Sequence, residues 1–491
     1  MSLPDEHSLR VANAEVDARH WIGGERVASA DTFELISPID GRALGAIAAG
    51  GEREVERAVH AARAAFPAWA ALGAEGRRPI LERFAAGILE QRSALSAVET
   101  EDNGSLLIAN QKRIVDRAAH NIAFFAKRAC ELSQHGISSH GVSNRVRYEP
   151  AGVAALITPW NAPLMLSTWK LGPALAAGNS VVLKPAEWAP LSCSLLADIA
   201  VRAGVPAGVF NVVQGVGIEA GQALVAHRGV DRISFTGSVA TGRRVAAAAA
   251  ANLTPVSLEL GGKSPFIVLE DADLDDAATT IASQFGNAGQ VCLAGTRVLV
   301  AASIEAELRE RVLKEAQLYV VGDPRERGVR VGPLIHPRQL ARVSGFVERA
   351  LASGARALLG GTPHSRGGLY FQPTILAGVK QDSEIVQSEV FGPVLTWQTF
   401  ETDAQAIELA NGTDYGLAAM VYSRDLERAE RVAAQVVAGT VWINCYFVRE
   451  LEAPFGGARC SGIGREGGAW SFDFFCDVKN VATKQAGASH G

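Results

Sequence analysis

Three polar side chains stand beside apolar or small-residue segments, where they could act together on a carbonyl group. Cys292 lies among small residues in FGNAGQVCLAGTR, Glu259 ends an apolar run in VSLELGGKSP, and Asn161 follows one in ITPWNAP. A thiol nucleophile needs a lowered pKa or a nearby base, together with a donor that stabilises an oxyanion. Glu259 could supply the base, and the side-chain amide of Asn161 could supply the donor.

Each of these residues also has an ordinary structural interpretation. A lone cysteine is usually a packing residue, and a glutamate at the end of a buried strand can be held by a salt bridge. An asparagine before Ala-Pro is common in turns. The chemical interpretation therefore depends on what the rest of the chain carries.

Two sets of short β-rich runs alternate with helical patterns along the chain. The first set covers residues 152–157, 180–183, 209–213 and 232–235, and the second covers 264–269, 297–302, 393–400 and 418–423. Strand–helix–strand alternation at this spacing predicts parallel, doubly wound sheets. Because Gly261 and Gly262 separate the two sets, we expect two α/β domains in tandem.

Two further segments are expected to extend away from these domains. Residues 134–148 are polar and alternate in VSNRVRY, and the tail 472–484 is a second candidate strand. Exposed strands of this kind are available for pairing and for contacts between subunits. The sequence therefore predicts self-association.

Composition argues against several classes of protein. The chain has 491 residues and a net charge of −5, from 47 basic and 52 acidic residues, without the basic stripe that nucleic-acid binding requires. None of the six cysteines forms a C-x-x-C pair, and the histidines are scattered. We therefore expect neither a disulfide framework nor a metal site.

The sequence does not predict a targeting or membrane segment. Residues 1–21 are polar and charged, without the apolar run of a signal peptide. The uncharged run 151–169 is long enough for a membrane span, but Pro159, Asn161 and Pro163 interrupt it. A cytoplasmic protein that does not bind membranes is expected.

Together with further motifs, the three catalytic segments resemble the aldehyde dehydrogenase superfamily over nearly the whole chain. The further motifs are KPAE (184–187), FTGS (235–238), EVFGPV (389–394), NGTDYGLAA (411–419) and PFGGARCSGIGREGG (454–468). The resemblance implies an α/β fold with two doubly wound parallel-sheet domains and a small β oligomerisation element.

The same resemblance implies a division of the chain and an assembly. It assigns residues 1–131 and 151–260 to an NAD-binding domain, 261–471 to a catalytic domain, and 132–150 and 472–491 to oligomerisation strands. A homodimer or homotetramer is expected.

The resemblance also implies roles for the three catalytic candidates. Cys292 attacks an aldehyde to form a thiohemiacetal, while Asn161 and the backbone N–H of Cys292 stabilise the oxyanion. Hydride transfer to a nicotinamide leaves a thioester, and Glu259 activates the water that hydrolyses it. Relatives that acylate coenzyme A lack such a base, so Glu259 favours a carboxylic acid as product.

The cofactor site differs from the common dinucleotide fingerprint. GVGIEAG (215–221) has one residue too many for G-x-G-x-x-G, and GSVATG (237–242) lacks the Lys and Ser/Thr of a phosphate loop. Instead, FTGS ends a strand and opens a helix, so Ser238 and the helix N-terminus can receive a pyrophosphate.

The resemblance implies that the cofactor is NAD and that carboxylate side chains bind its two ribose groups. Lys184 and Glu187 bind the adenine ribose, where a carboxylate repels the 2′-phosphate of NADP; without the other motifs they would be taken for a solvated ion pair. Glu389 holds the nicotinamide ribose, and Phe391 packs beside it. The other residues expected at the cofactor are Trp160, Gly215, Phe235, Gly237 and Gly261.

The substrate pocket is expected to contain Met165, Trp169 and Phe455, together with two arginines. VRELEAPFGG, with Arg449, resembles the subgroup that acts on 2-hydroxymuconate and 5-carboxymethyl-2-hydroxymuconate semialdehydes, and so does DRAAHNIAFFA, with Arg117. Arginine pairs bidentately with carboxylates. A carboxylated semialdehyde from aromatic ring cleavage is therefore the predicted substrate.

Alternatives remain open at this point. Arg449 could pair with Glu450 or Glu452, and Arg117 with Asp116, as surface ion pairs. The negative charge of Glu452 also disfavours an acidic substrate. Rival functions are a broad aromatic, aliphatic or betaine aldehyde dehydrogenase, and a catalytically silent structural protein of the same fold.

Overall fold

A computed structural model describes residues 7–132, 136–139 and 141–484. The strands, numbered β1 to β22 in chain order, are Ser8–Val11, Ala14–Asp17, His20–Ile22, Glu25–Val27, Thr32–Ile36, Ala43–Ala48, Gly136–Ser139, Val142–Pro150, Val153–Ile157, Ser180–Lys184, Phe210–Val212, Arg232–Thr236, Val256–Glu259, Pro265–Val268, Arg297–Ala301, Arg356–Leu359, Thr374–Ala377, Val394–Phe400, Ala418–Tyr422, Thr440–Ile443, Gly462–Ile463 and Cys476–Lys484. They form sheets of eight, seven and three strands, and two further pairs.

The helices lie mostly between these strands in sequence. Numbered α1 to α16, they are Glu52–Ala71, Gly73–Glu90, Arg92–Asn103, Leu107–Ala109, Val115–Cys130, Pro163–Ala177, Leu191–Arg202, Gln222–Ala226, Val239–Ala250, Leu274–Ser283, Glu305–Ala316, Pro337–Ala352, Glu384–Gln387, Asp403–Asn411, Leu426–Ala433 and Gly468–Phe475. Helices α1, α6 and α7 pack directly against strands β10 and β11.

The eight-stranded sheet has the order β21-β13-β12-β9-β10-β11-β3-β4. Strands β13 to β11 in this order are parallel, and β3, β4 and β21 are antiparallel at the edges. Helices cover both faces of a parallel sheet, so its strands must be apolar on both sides. The runs VAALI of β9 and SVVLK of β10 meet this requirement and are almost completely buried.

The seven-stranded sheet has the order β16-β17-β18-β15-β14-β19-β20. Its strands are parallel except β16, which is antiparallel to β17. The α/β fold with two doubly wound parallel sheets, expected from the sequence, is confirmed. The domain boundaries given above stay predictions.

The third sheet, β22-β8-β7, contains the extended segments that the sequence predicted. Strands β8 and β22 pair antiparallel from Pro150 opposite Cys476 to Val142 opposite Lys484. The tail strand begins at Cys476 and not at residue 472, because α16 continues to Phe475 and buries the side chains of Phe472 and Phe475. Residues 133–135, 140 and 485–491 of these predicted segments lie outside the described residues, and so do residues 1–6 of the predicted NAD-binding domain.

The chain returns to the first sheet after completing the second. Strand β21, inside the segment predicted as the catalytic domain, pairs with Leu258 and Glu259 of β13. The first sheet is thus completed by two residues that follow all strands of the second in sequence. Within the described part of the chain, no helix is both long and apolar enough to cross a membrane.

Candidate active site

The carboxyl ends of parallel strands bring the predicted residues to one edge of the first sheet. Asn161 follows β9, Lys184 ends β10, Ser238 follows β12, and Glu259 ends β13. Glu259 is level with Thr236, the last residue of β12. In open α/β sheets, ligands bind in the crevice at this edge.

The glycine pair between the two sheets passes between Glu389 and Cys292. A Cβ atom at Gly261 would overlap the carboxylate of Glu389, and one at Gly262 would overlap the carbonyl oxygen of Cys292. The backbone N–H of Gly262 donates to Oε1 of Glu389 at 3.0 Å. This close passage, which only residues without a side chain allow, joins Glu259 to two residues from the second half of the chain.

Cys292 lies in a turn before β15, and its thiol is not in a disulfide. Burial raises the pKa of this thiol to about 12, and the carboxylates of Glu389 and Glu259 add to the increase. The guanidinium of Arg449 opposes them. At neutral pH the free protein therefore holds Cys292 mainly as the thiol.

Glu259 is a buried carboxyl group without a hydrogen-bond partner. The residue is 5% exposed, and neither of its carboxyl oxygens has a partner among the described residues. Burial raises the pKa of Glu259 well above its usual value, with a contribution from the nearby Glu466 carboxylate. A Cβ at Gly456 would be 3.0 Å from Oε1 of Glu259, so a glycine there leaves space around this carboxyl.

Asn161 is held against the segment that leads into Cys292. Its Nδ2 donates to the carbonyl of Gln290 at 2.9 Å, and its own carbonyl accepts from Nδ2 of Asn287 at 3.1 Å. Asn287 and Ala288 have φ of 53°, a left-handed conformation that is uncommon without glycine. A side-chain amide has two N–H groups, so one remains for a further acceptor.

The predicted adenine-ribose residues form a partly buried ion pair. Nζ of Lys184 donates to the carbonyl of Pro185 at 2.9 Å and to Oε2 of Glu187 at 3.3 Å. The Glu187 side chain remains 33% exposed. Ser238 is the N-cap of α9, and its Oγ accepts from the backbone N–H of Thr241 at 3.3 Å.

Two predicted glycines allow close backbone approach in the same region. The ring of Phe235, on β12, occupies the space that a side chain at Gly237 would need. Gly215 has φ of 139° and lies against the backbone of Gly50. Both positions require the absence of a side chain, and they offer no side-chain donors.

Aromatic contacts connect the loops of the two sheets. Trp160 meets the ring of Phe391 edge-on with centroids 5.3 Å apart, and Trp188 stacks on His336 at 4.6 Å. Phe391 has φ of 59°, and its carbonyl accepts from Nε2 of Gln339 at 2.7 Å. Trp160 and Phe391, both predicted at the cofactor, are thus in direct contact.

The half-buried Glu389 lies near the buried Lys263. Burial raises the pKa of Glu389 to about 7 and lowers that of Lys263 to about 7, although their mutual attraction opposes both changes. Nζ of Lys263 is buried and lacks a hydrogen-bond partner in the described chain. This region therefore has polar groups available for a polar ligand.

The predicted substrate residues form a cluster around Trp169. Cζ of Arg449 is 3.8 Å from the ring centroid of Phe455 and 4.7 Å from that of Trp169, and Cζ of Arg117 is 5.9 Å from Trp169. Nη1 of Arg117 donates to the carbonyl of Arg449 at 3.0 Å. Met165, one turn before Trp169 on α6, is half-buried.

The surface ion pairs considered for the two arginines do not form. Asp116 pairs with Arg92, and Glu452 pairs with Arg128 at 3.0 Å. Oε1 of Glu450 accepts from the next backbone N–H. Nη2 of Arg449 is buried and has no hydrogen-bond partner within the described ranges.

Glu466 and Lys170 form a buried ion pair that the sequence interpretation missed. Nζ of Lys170 donates to Oε1 of Glu466 at 2.7 Å, and Nε1 of Trp169 donates to Oε2. Burial alone would raise the pKa of Glu466, but the Lys170 ammonium and these hydrogen bonds hold it below its usual value. Lys170 is the one charged residue of α6, and a charge in an apolar helix needs a partner, so that signal was available.

Comparisons with known proteins identify the family of this chain. Residues 26–481 match the aldehyde dehydrogenase family. Over 483 residues the chain is 39% identical to 2-hydroxymuconic semialdehyde dehydrogenase of Pseudomonas putida, covering 95% of this chain and 99% of that protein. Over 476 residues it is 40% identical to 4-trimethylaminobutyraldehyde dehydrogenase of Rattus norvegicus, with coverage of 95% and 96%.

A solved structure gives the same result. Indole-3-acetaldehyde dehydrogenase complexed with NAD+ superimposes with a TM-score of 0.94 at 38% identity, covering 96% of this chain and 97% of that one. The chain belongs to the aldehyde dehydrogenase family. The resemblance inferred from the motifs is therefore confirmed, and so is the prediction of an aldehyde dehydrogenase enzyme.

The high pKa of Cys292 predicts how its alkylation depends on pH. Because the pKa is about 12, the thiolate fraction of the free protein should rise about tenfold per pH unit from pH 7 to 9. The rate of iodoacetamide labelling of the Cys292 peptide, followed by mass spectrometry, should rise accordingly. Glu389→Gln should accelerate labelling by removing a negative charge, whereas a rate that levels off below pH 8 would contradict the predicted pKa.

Proposed function

We propose that this protein oxidises an aldehyde to a carboxylic acid with NAD+, using Cys292 as nucleophile, Asn161 as oxyanion donor and Glu259 as general base. The observation that carries the proposal is the unpartnered carboxyl of Glu259. Gly261 and Gly262, which follow it closely in sequence, bring the backbone into contact with Cys292. A buried carboxyl without a partner is unfavourable, and such groups cluster at catalytic sites. Membership of the aldehyde dehydrogenase family supports the same roles.

The first half-reaction uses Cys292 and Asn161. The Cys292 thiol loses its proton to solvent, the resulting thiolate sulfur forms a bond to the aldehyde carbon, and the carbonyl oxygen becomes the alkoxide of a thiohemiacetal. The backbone N–H of Cys292 and the remaining N–H of Asn161 donate to this oxygen. NAD+, when bound, accepts the hydride from the same carbon, which leaves a thioester on Cys292.

The second half-reaction uses Glu259. Its carboxylate takes a proton from a water molecule, which attacks the thioester carbon and releases the acid and the Cys292 thiol. Burial makes the Glu259 carboxylate a stronger base than an exposed one. The nearby charges of Lys170 and Arg449 act in the opposite direction and favour the ionised form of Glu259.

The residues of the cofactor region fit NAD. The N-terminus of α9, capped by Ser238, can receive a pyrophosphate. The partly exposed carboxylate of Glu187 can accept hydrogen bonds from ribose hydroxyls and would repel a 2′-phosphate, which favours NAD over NADP. Glu389 is suited to the second ribose, and Trp160 with Phe391 provides an apolar wall beside it.

For the substrate, we propose a semialdehyde that carries a carboxylate, such as those formed by aromatic ring cleavage. Arg449 supports this choice because its buried Nη2 has no partner within the described chain and its ion-pair alternatives are engaged elsewhere. The backbone contact of Arg117 holds the Arg449 segment. The match to 2-hydroxymuconic semialdehyde dehydrogenase is in keeping with this proposal.

A substrate with a quaternary ammonium group fits the pocket less well, although one relative is a 4-trimethylaminobutyraldehyde dehydrogenase. Aromatic faces bind such groups by cation–π contact. Here the rings of Trp169 and Phe455 already bear the Arg449 guanidinium. Its positive charge would repel a second cation.

Glu259→Gln should separate the two half-reactions. Removal of the base should slow hydrolysis by about a hundredfold or more, while thiohemiacetal formation and hydride transfer continue. Rapid mixing with NAD+ and aldehyde should therefore show a burst close to one NADH per site, followed by slow turnover. Cys292→Ser is the matched control without a burst, and unchanged steady turnover by Glu259→Gln would exclude the proposed base.

Arg449→Ala should weaken the oxidation of carboxylated aldehydes much more than that of neutral aldehydes. Loss of a charged hydrogen-bond donor should raise KM for a muconate-type semialdehyde about 10- to 100-fold, with a much smaller effect on benzaldehyde. Arg128→Ala, which removes an arginine paired outside the cluster, is the matched control. Equal changes for both aldehydes would contradict the carboxylate proposal and leave the oxidation itself supported.

We also propose self-association through the sheet of β7, β8 and β22. Ile137 and Val478 expose 62% and 56% of their surface on this sheet, as expected for strands that pack against another chain. Val478→Glu should lower the sedimenting mass, whereas Leu253→Glu, at a residue 89% exposed elsewhere, should not. A wild-type protein that sediments as a monomer would contradict the proposal.

A further inference from the structure

Helix α3 carries two buried acids that take no part in the proposed reaction. Glu99 and Asp102 are 1% and 0% exposed, and their spacing of three residues puts them on one face of the helix. Burial raises the pKa of Glu99 to about 7, and burial together with Glu99 raises that of Asp102 well above its usual value. Buried acids are unfavourable unless they have partners.

Each acid accepts a hydrogen bond from the N-terminus of a different helix. Oε1 of Glu99 accepts from the backbone N–H of Leu164 in α6 at 3.2 Å, and Oδ2 of Asp102 accepts from that of Leu191 in α7 at 2.8 Å. The N-cap residues of α6 and α7 are an alanine and a proline, and neither makes a side-chain cap. Helix α3 therefore supplies caps to both helices.

These two helices begin directly after residues of the active site. Asn161 comes just before the first turn of α6, and the loop that carries Glu187 comes just before α7. Nδ2 of Asn103, next to Asp102, lies 3.5 Å from the carbonyl of Trp160. One turn of α3 is thus hydrogen-bonded to the backbone on both sides of Asn161 and to the backbone that follows the Glu187 loop.

We propose that Glu99 and Asp102 are positioning residues for two separate parts of the reaction. Through the start of α6, Glu99 sets the position of Asn161 relative to Cys292. Through the start of α7, Asp102 sets the loop that presents Glu187 to the cofactor. Neither acid contacts substrate or NAD, and the inference rests on the roles proposed above for Asn161 and Glu187.

Glu101 provides a matched control on the same helix. It is also buried, at 5% exposed, but its carboxylate pairs with Arg42 at 2.9 Å and Arg325 at 3.0 Å. Glu101→Gln therefore removes a buried charge from α3 without removing a helix cap. Any loss of stability common to changes in α3 should appear in this variant as well.

The test measures two quantities for Glu99→Ala and for Asp102→Ala. The first is kcat at saturating NAD+, and the second is the Kd for NAD+, measured by quenching of tryptophan fluorescence. Loss of one cap should change either kcat or Kd about tenfold, depending on the helix that loses it. Glu99→Ala should lower kcat about tenfold with Kd changed less than about twofold. Asp102→Ala should raise Kd about tenfold with kcat nearly unchanged.

Conservative variants distinguish positioning from general destabilisation. Glu99→Gln and Asp102→Asn keep an oxygen that can accept the same backbone N–H, so they should restore most of the lost kcat and Kd. If the alanine variants fold poorly, Glu99→Met and Asp102→Leu refill the volume without an acceptor and give the same comparison.

The proposal is overturned if both acids change kcat and Kd alike, if Glu101→Gln does the same, or if the amides restore nothing. A wild-type protein that turns over no aldehyde would instead reject the proposed function. The Kd for NAD+ would still test Asp102 in that case, because fluorescence quenching does not require turnover.

Discussion

The active site depends on a pair of glycines in the segment that connects the two large sheets. Gly261 and Gly262 pass so close to Glu389 and Cys292 that a methyl group at either position would overlap them. Side chains from the two halves of the chain can therefore meet around a small space. The left-handed backbone at Phe391 belongs to the same arrangement, since it turns the chain just after Glu389. Such conformations persist only where the surrounding structure holds them.

Buried charges fall into two groups in this protein. Lys170 and Glu466 satisfy each other and add hydrogen bonds, as an interior ion pair must. Glu259 and the Nη2 group of Arg449 are buried without hydrogen-bond partners in the described residues. Unfavourable buried charges cluster at functional sites, so the unpartnered groups mark where ligands are expected.

The sequence was most informative where the signal is local. The alternation of strands and helices is sufficient to predict two parallel sheets, and short motifs carry the roles proposed for Cys292, Glu259 and Asn161. Antiparallel edge strands were not predictable, since β21 is two residues long and pairs with a strand about two hundred residues earlier. Its pairing is decided by tertiary contacts and not by a local pattern.

The contact partners of individual side chains could not be predicted from the sequence either. Arg449 is followed closely by Glu450 and Glu452, which made ion pairs with them reasonable from the sequence, yet its guanidinium lies on two aromatic rings. Glu466 stands in a glycine-rich motif that does not indicate an ion pair, although Lys170 in an apolar helix required a partner. The start of the last strand was predicted four residues early because α16 keeps a helical apolar face where the sequence also allows extension.

The late return of β21 has a consequence for synthesis of the protein. On the ribosome, residues up to Glu259 can form the five parallel strands of the first sheet long before Gly462 and Ile463 leave the exit tunnel. During that interval the free edge of β13 offers unpaired backbone groups to any neighbouring strand. The nascent first half should thus rely on chaperones more than the finished enzyme does. The surroundings of Glu259 are completed only when almost the entire chain has been made.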